Sequence, residues 1–83
     1  MPIYFSAFSH RFLGQLKKLD RRQKELVFKR IEKILRNPEM GKPLHAPLAN
    51  YLSERFESHR IIFKIRGSTV EFAWLDKRKR VYE

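Results

Sequence analysis

The sequence predicts an α+β fold: an N-terminal strand, two antiparallel helices, and then a three- to four-stranded antiparallel sheet packed on the helices. Apolar residues recur at helical spacing through the first half of the chain and alternate with polar residues from residue 51 onward. This change of period predicts two helices that cover one face of a sheet and leave the other face open. At 83 residues the chain suffices for one such domain, residues 1–83, and is too short for two.

A strand and a helix are predicted at the start of the chain. The apolar run 3–5 predicts the strand, and Ser6 is expected to cap the helix that follows it. The polar residues of this helix, Gln15 among them, are expected on its solvent side. An amphipathic stripe at spacings of four, four and three is formed by Phe8, Phe12, Leu16 and Leu19.

The second helix has boundary signals at both ends. Asp20, followed three residues later by Gln23, has the form of a capping box. The pair Asn37-Pro38 predicts the helix end, because the residue before a proline is pushed out of the helical region. The buried stripe is expected to consist of Val27, Ile31, Ile34 and Leu35.

The second half of the chain predicts a loop followed by strands. Residues 37–50 contain three of the four prolines and predict an irregular loop. A first strand is expected from Tyr51, a second from Arg60, and a third after the tight-turn pair Gly67-Ser68. Alternation predicts one apolar face made of Ile61, Phe63, Ile65, Val70, Phe72 and Trp74.

The net charge of +10 is spread over both halves of the chain. Such a body suits an anionic polymer or an acidic protein, because its field raises encounter rates and its phosphate contacts release counterions. The absence of cysteine excludes disulfides and thiolate metal sites, and predicts a reducing cytoplasm as the location. No apolar run approaches the roughly 18 residues of a membrane span, so no membrane partner is expected.

A cluster of cations is predicted around the second strand. Arg55 and Arg60 flank a short turn, and Lys64 shares a strand face with Arg60. Guanidinium groups grip phosphate oxygens in a fork, so these residues suit phosphate chemistry, although solvated surface charges would look the same in sequence. The end of the chain is expected to return toward this cluster with Lys77, Arg78, Arg80 and Tyr82.

The three histidines of the chain are candidates for proton transfer near neutral pH. His10 falls in the first predicted helix and is expected on the surface, whereas His45 and His59 are expected nearer the arginines. The three histidines are too dispersed to predict a metal site, and no cofactor motif occurs.

The ordered set of motifs resembles the RelE/ParE toxin superfamily over nearly the whole chain. The segments that carry the resemblance are 41–44 (Gly-Lys-Pro-Leu), 51–55 (Tyr-Leu-Ser-Glu-Arg), 59–65 (His-Arg-Ile-Ile-Phe-Lys-Ile) and 78–82 (Arg-Lys-Arg-Val-Tyr). The resemblance implies the toxin of a type II toxin–antitoxin pair. RelE-like members cleave mRNA in the ribosomal A site through attack of a 2′-hydroxyl on the adjacent phosphate.

Carried over residue by residue, the resemblance implies roles for several cations. Arg60 matches the arginine that stabilises the scissile phosphate, Arg55 matches a further strand arginine, and Arg78 matches the basic residue of the C-terminal motif. Tyr82 matches the terminal tyrosine that stacks on a base or assists proton transfer. RNA binding is expected of Arg55, Lys64, Lys79, Arg80 and His45.

The chain departs from the family pattern at the general base. Tyr51 and Ser53 stand where RelE members carry two lysines, and a histidine common in the C-terminal motif is Lys77 here. The related YoeB group has a glutamate base in the loop, where this chain offers only Leu44 or His45. Candidates for the base are Lys77, His45 and Tyr82.

The leading hypothesis is a metal-independent endoribonuclease that acts on mRNA at a 70S-type ribosome and is held inactive by a cognate antitoxin. One alternative is a ParE-like inhibitor of DNA gyrase, which shares the fold and lacks the RNase chemistry. Another is a catalytically inactive relative that binds ribosomes or RNA.

Overall fold

The structure is a computed structural model, and it describes residues 3–77. Its elements follow in the order β1 (Phe5–Phe8), α1 (His10–Lys17), α2 (Arg21–Arg36), a 3₁₀ helix (Pro38–Met40), β2 (Lys42–Pro43), β3 (Leu52–Phe56), β4 (His59–Arg66) and β5 (Thr69–Lys77). The five strands form one sheet in the order β1-β5-β4-β3-β2. Strands β2 to β5 pair antiparallel, as predicted, while β1 joins the edge of β5 in parallel. The α+β prediction is confirmed.

One hydrophobic core lies between the helices and one face of the sheet. Phe12 of α1 and three residues of α2, Val27, Ile31 and Ile34, pack there with the inward residues of β3, β4 and β5. Leu35, which was predicted in the buried stripe, is only half-buried. The opposite side of the sheet, called the open face below, is not covered by either helix.

The start of α1 lies three residues later than predicted. Ser9, not Ser6, caps this helix, and its hydroxyl accepts a hydrogen bond from the Phe12 N–H at 2.9 Å. Ser6 and Phe8 belong to β1, where Phe8 stacks on Phe72 with ring centroids 5.2 Å apart. Pairing of β1 with β5, a contact between chain ends, overrides the local helical period.

The boundaries of α2 are confirmed. The Asp20 carboxylate accepts from the Gln23 N–H at 2.7 Å, and the Gln23 side chain accepts from the Asp20 N–H, which completes the capping box. Asn37 ends the helix before Pro38. The loop predicted over 37–50 is more regular than expected, because it contains the 3₁₀ helix and the short strand β2.

A bulge in β5 reverses the predicted orientation of Trp74. Phe63 pairs with Phe72, but Ile62 pairs with Trp74, so Ala73 is an extra residue on β5. Leu75 therefore takes the inward position and is 6% exposed, while Trp74 turns to the open face. The prediction that Trp74 continues the core face is wrong.

Within residues 3–77, no helix is both long and apolar enough to cross a membrane.

Candidate functional site

Two arginines lie directly opposite each other on the open face. Arg55 of β3 and Arg60 of β4 are register partners in the antiparallel pair, so their side chains leave the sheet on the same side. Within residues 3–77, neither forms an ion pair with a carboxylate. Like charges in this position repel each other, and a bound anion would relieve the repulsion.

A two-residue turn holds this arginine pair in place. Glu57 adopts a left-handed backbone conformation (φ 51°) between β3 and β4, and its carboxylate is paired with the Arg22 guanidinium at the start of α2. The hydrogen bond from Arg22 lowers the pKa of Glu57, and the same bond raises the pKa of Arg22. The hairpin that carries both arginines is therefore tied to the helical layer.

An open depression of about 350 Å³ lies beside the arginine pair. Lys42, whose strand pairs with Ser53, adds a third cation to its wall. Glu54 also borders it, but the Glu54 carboxylate is held by Lys33 at 2.8 Å and Arg30 at 3.4 Å. The depression is lined by Met40, Lys42, Ser53, Glu54, Arg55 and Arg60. Its size and cations suit a phosphate group.

Asp76 is the register partner of Arg60 on the side away from Arg55. It is exposed, and among the described residues no cation lies within ion-pair distance of it. Three strands thus present Arg55, Arg60 and Asp76 as one row across the open face.

The other predicted cations divide between the two faces. Lys64 lies on the open face, as expected, with its ammonium 3.9 Å from the Glu71 carboxylate. Lys77 is the register partner of His59, so strand alternation directs it away from the face that carries Arg60. The register therefore does not bring Lys77 to the arginine pair. Four of the predicted site residues lie outside the described part of the chain: Arg78, Lys79, Arg80 and Tyr82.

The histidines are separated from the arginine pair. His45 is exposed in the loop beyond the Tyr51 end of β3, and it does not line the depression. His59 stacks on the buried ring of Phe56, with centroids 5.0 Å apart and planes 12° apart, so it faces the helices. Its Nδ1 is buried and makes no hydrogen bond within residues 3–77. His10 is exposed at the start of α1, as predicted.

An aromatic pair on the open face was not anticipated from the sequence. The rings of Tyr51 and Trp74 lie 5.3 Å apart and are inclined by 58°. The Arg11 guanidinium lies 5.1 Å from the centre of the Trp74 ring, and the Lys64 ammonium lies 5.3 Å from that of Tyr51. Alternation in β5 would have revealed the pair only if the bulge at Ala73 had been known.

Within residues 3–77, no group of three or more histidine, aspartate and glutamate side chains could hold a metal ion.

Comparison with known proteins supplies the family. Residues 7–82 match the family model described as the ParE toxin of type II toxin–antitoxin systems. No curated protein sequence gave a significant match.

Solved structures of this class are similar to the chain over most of its length. One is the RelBE2 toxin–antitoxin complex from Mycobacterium tuberculosis, with 29% identity and a TM-score of 0.82, where the match covers 94% of this chain and 100% of the other. The isolated RelE toxin of E. coli has 23% identity and a TM-score of 0.78, with 95% and 90% covered. A YoeB/ParE toxin from Agrobacterium tumefaciens has 20% identity and a TM-score of 0.78, with 90% and 99% covered. These matches confirm the predicted superfamily and fold, and the family model covers nearly the whole chain. The chain therefore belongs to the ParE toxin family of type II toxin–antitoxin systems.

Proposed function

We propose that this toxin is an endoribonuclease that cleaves mRNA on the ribosome and thereby stops translation. The observation that carries the proposal is the cross-strand pair of Arg55 and Arg60, which borders an open depression and has no carboxylate partner within residues 3–77. Two guanidinium groups on one face can neutralise the charge that develops on a phosphate under attack. The net charge of +10 suits the surrounding ribosomal RNA.

In the proposed reaction, the 2′-oxygen of one nucleotide attacks the adjacent phosphorus and loses its proton to a base. The bond from phosphorus to the 5′-oxygen of the next nucleotide breaks, and that oxygen receives a proton from an acid. The products are a 2′,3′-cyclic phosphate and a free 5′-hydroxyl. Arg60, with Arg55 beside it, stabilises the pentacoordinate phosphorane, which carries more negative charge than the bound phosphate.

Proton transfer requires a base near the arginine pair, and neither Lys77 nor His45 lies there. Lys77 is paired with His59 on the helix side, and His45 is exposed beyond the far end of β3. We therefore assign proton transfer to Tyr82, with Arg78 as a further phosphate ligand, on the basis of the family resemblance. Neighbouring cations favour the phenolate form of a tyrosine, which makes it a better base at neutral pH.

We further propose a cognate antitoxin as the protein partner. Relatives from M. tuberculosis and E. coli were solved as toxin–antitoxin complexes. An acidic or amphipathic antitoxin segment suits this chain, because strongly exposed apolar side chains stand on a cationic body. Those most exposed near the N-terminus are Ile3, Phe5 and Leu13.

The decisive experiment is inducible expression followed by mapping of RNA 5′ ends on translated and untranslated copies of one message. We expect cuts in codon register on the translated copy alone. The double variant Arg55→Ala/Arg60→Ala, checked for folding by thermal melting, should give no cuts. Equal cutting of both copies would contradict dependence on the ribosome, and undiminished cutting by the double variant would contradict the arginine site.

A second candidate function is inhibition of DNA gyrase. It is favoured by the family model, which is that of a ParE toxin, and by the positions of Lys77 and His45, neither of which lies beside Arg60. Purified toxin would then inhibit gyrase supercoiling and leave messages intact. Ribosome binding without either effect would instead identify an inactive relative.

A further inference from the structure

Tyr51 and Trp74 come together on the open face from distant parts of the chain. Tyr51 precedes β3, and Trp74 reaches the same face because the bulge at Ala73 turns it away from the core. Tryptophan and tyrosine normally bury their large rings in the core or use them in binding. This pair lies on the side of the sheet that no helix covers, and both rings are only partly buried.

A cation lies near each of the two rings. Arg11 extends from α1 over Trp74, with its guanidinium carbon 5.1 Å from the ring centre, and Lys64 extends from β4 to within 5.3 Å of the Tyr51 ring centre. We call these four residues the cation–aromatic row. Aromatic rings flanked by cations are the combination with which proteins hold single-stranded nucleic acid, since the rings stack on bases and the cations contact the backbone.

Space for a ligand is present beside the row. An open depression of about 310 Å³ is bordered by Tyr51 and Lys64 and by two small residues, Ala7 and Ala73. Glu71 also borders the depression and is paired with Arg66 at 3.4 Å, so its charge is compensated.

The row lies close to the arginine pair. Trp74 is the register partner of Ile62, which is two residues along β4 from Arg60, or about 7 Å. A base on the row can therefore belong to a nucleotide next to a phosphate bound at Arg60. We propose that the cation–aromatic row is a stacking subsite for one unpaired base of an RNA strand, with Arg11 and Lys64 contacting the flanking phosphates. This inference rests on the proposed function in taking RNA as the ligand.

Trp74 is the only tryptophan in the chain, so its fluorescence reports on this subsite alone. The experiment titrates purified toxin with a short single-stranded oligoadenylate and with an abasic oligomer of equal length and charge. We expect saturable quenching of Trp74 by the oligoadenylate and none by the abasic oligomer. Tyr51→Leu should weaken oligoadenylate binding roughly 5- to 150-fold, the range for loss of one stacked base. Phe28→Leu, an equally conservative change at a 52% exposed aromatic residue on α2, should leave binding unchanged.

Salt dependence separates stacking from charge. Tyr51→Leu should keep the wild-type slope of log affinity against log salt, whereas Lys64→Gln should reduce it by about 0.7. Quenching by the abasic oligomer, or tight oligoadenylate binding without any change in Trp74 emission, would overturn the stacking subsite. Both of these outcomes are measured on the wild-type protein, so neither depends on whether the Tyr51→Leu variant folds.

Failure of the subsite can be told from failure of the proposed function. Quenching that depends on bases, with no cleavage of translated messages, would refute the endoribonuclease and leave the subsite intact. Cleavage at wild-type kcat/KM by Tyr51→Leu, together with no discrimination against the abasic oligomer, would refute the subsite and leave the endoribonuclease intact.

Discussion

The side chain of Gln15 binds the backbone of Leu75 as a neighbouring strand would. Its amide nitrogen donates to the Leu75 carbonyl at 2.8 Å, and its amide oxygen accepts from the Leu75 N–H at 2.7 Å. This contact lies three residues beyond Phe72, where the pairing of β1 with β5 ends. Gln15 was expected on the solvent side of α1, and that expectation is wrong because the backbone edge of β5 requires partners.

Replacement of Gln15 by leucine should destabilise the protein. The Leu75 N–H and carbonyl would lose both partners in a partly buried position, which costs about 1–3 kcal/mol in free energy of unfolding. Urea denaturation measures this change. The control Lys17→Leu alters an exposed residue of the same helix and should stay within about 0.5 kcal/mol of wild type. Equal losses in the two variants would show that the amide bonds contribute nothing specific.

Local signals in the sequence predicted the helices and hairpins well. The capping box at Asp20, the helix end at Asn37 and the tight turn at Gly67, whose φ is +58°, all depend on residues within a few positions of each other. The parallel β1–β5 pairing and the bulge at Ala73 depend on contacts between distant segments. No turn residue marks the bulge, so the sequence offered no signal for it.

Replacement of two glycines by alanine should change the free energy of unfolding in opposite directions. A Cβ at Gly41 would lie 2.6 Å from Cζ of the buried Phe63 ring and 3.0 Å from Cβ of Leu52, so Gly41→Ala forces the core to shift. We expect a loss of about 1–3 kcal/mol in free energy of unfolding. Gly14 lies inside α1 with open space around its Cβ position, and Gly14→Ala should gain up to about 1 kcal/mol. Thermal or urea unfolding of both variants checks the prediction, and a stable Gly41→Ala protein would contradict the close packing.

Acid should weaken the ion pair between Arg22 and Glu57, which links α2 to the β3–β4 hairpin. The hydrogen bond from Arg22 lowers the pKa of Glu57 below its ordinary value of 4.5, so the folded state binds this proton less tightly than the unfolded chain. The contribution of Glu57 to the free energy of unfolding is therefore complete above about pH 4.5 and is lost as the pH falls through the lowered pKa. The stability difference between wild type and Glu57→Gln should shrink on acidification.

A matched control for this measurement is Glu25→Gln. Glu25 is exposed on α2 and forms no ion pair within residues 3–77. The difference in free energy of unfolding between wild type and Glu25→Gln should vary less with pH than the difference between wild type and Glu57→Gln. If both variants showed the same pH dependence, the effect would come from the change in net charge and not from the ion pair between Arg22 and Glu57.

Loss of Arg60 should remove toxicity without unfolding the protein. If Arg60 stabilises the phosphorane, Arg60→Ala lowers kcat about 10²- to 10³-fold, and growth arrest is relieved. Arg60→Lys retains the charge but not the guanidinium fork, so it should recover only part of the activity. Arg21→Ala on α2 is the control for loss of one positive charge. Full growth arrest by a soluble Arg60→Ala protein would exclude the assignment.

The candidate site was only partly predictable. The nearness of Arg55 and Arg60 followed from the short turn between their strands, and the register confirms it. The distance of His45 and the orientation of Lys77 depend on the loop path and on strand register, which local sequence does not specify. The Tyr51–Trp74 pair depends on the bulge.

Repulsion between Arg55 and Arg60 has a consequence for the lifetime of the toxin. An unoccupied hairpin keeps two like charges side by side, so the protein is least stable when nothing anionic is bound, and any ligand that neutralises them shifts the folding equilibrium toward the native state. We therefore expect toxin released from both antitoxin and target to be the form most open to proteolysis. The feature that prepares the protein for phosphate would also limit how long it persists alone.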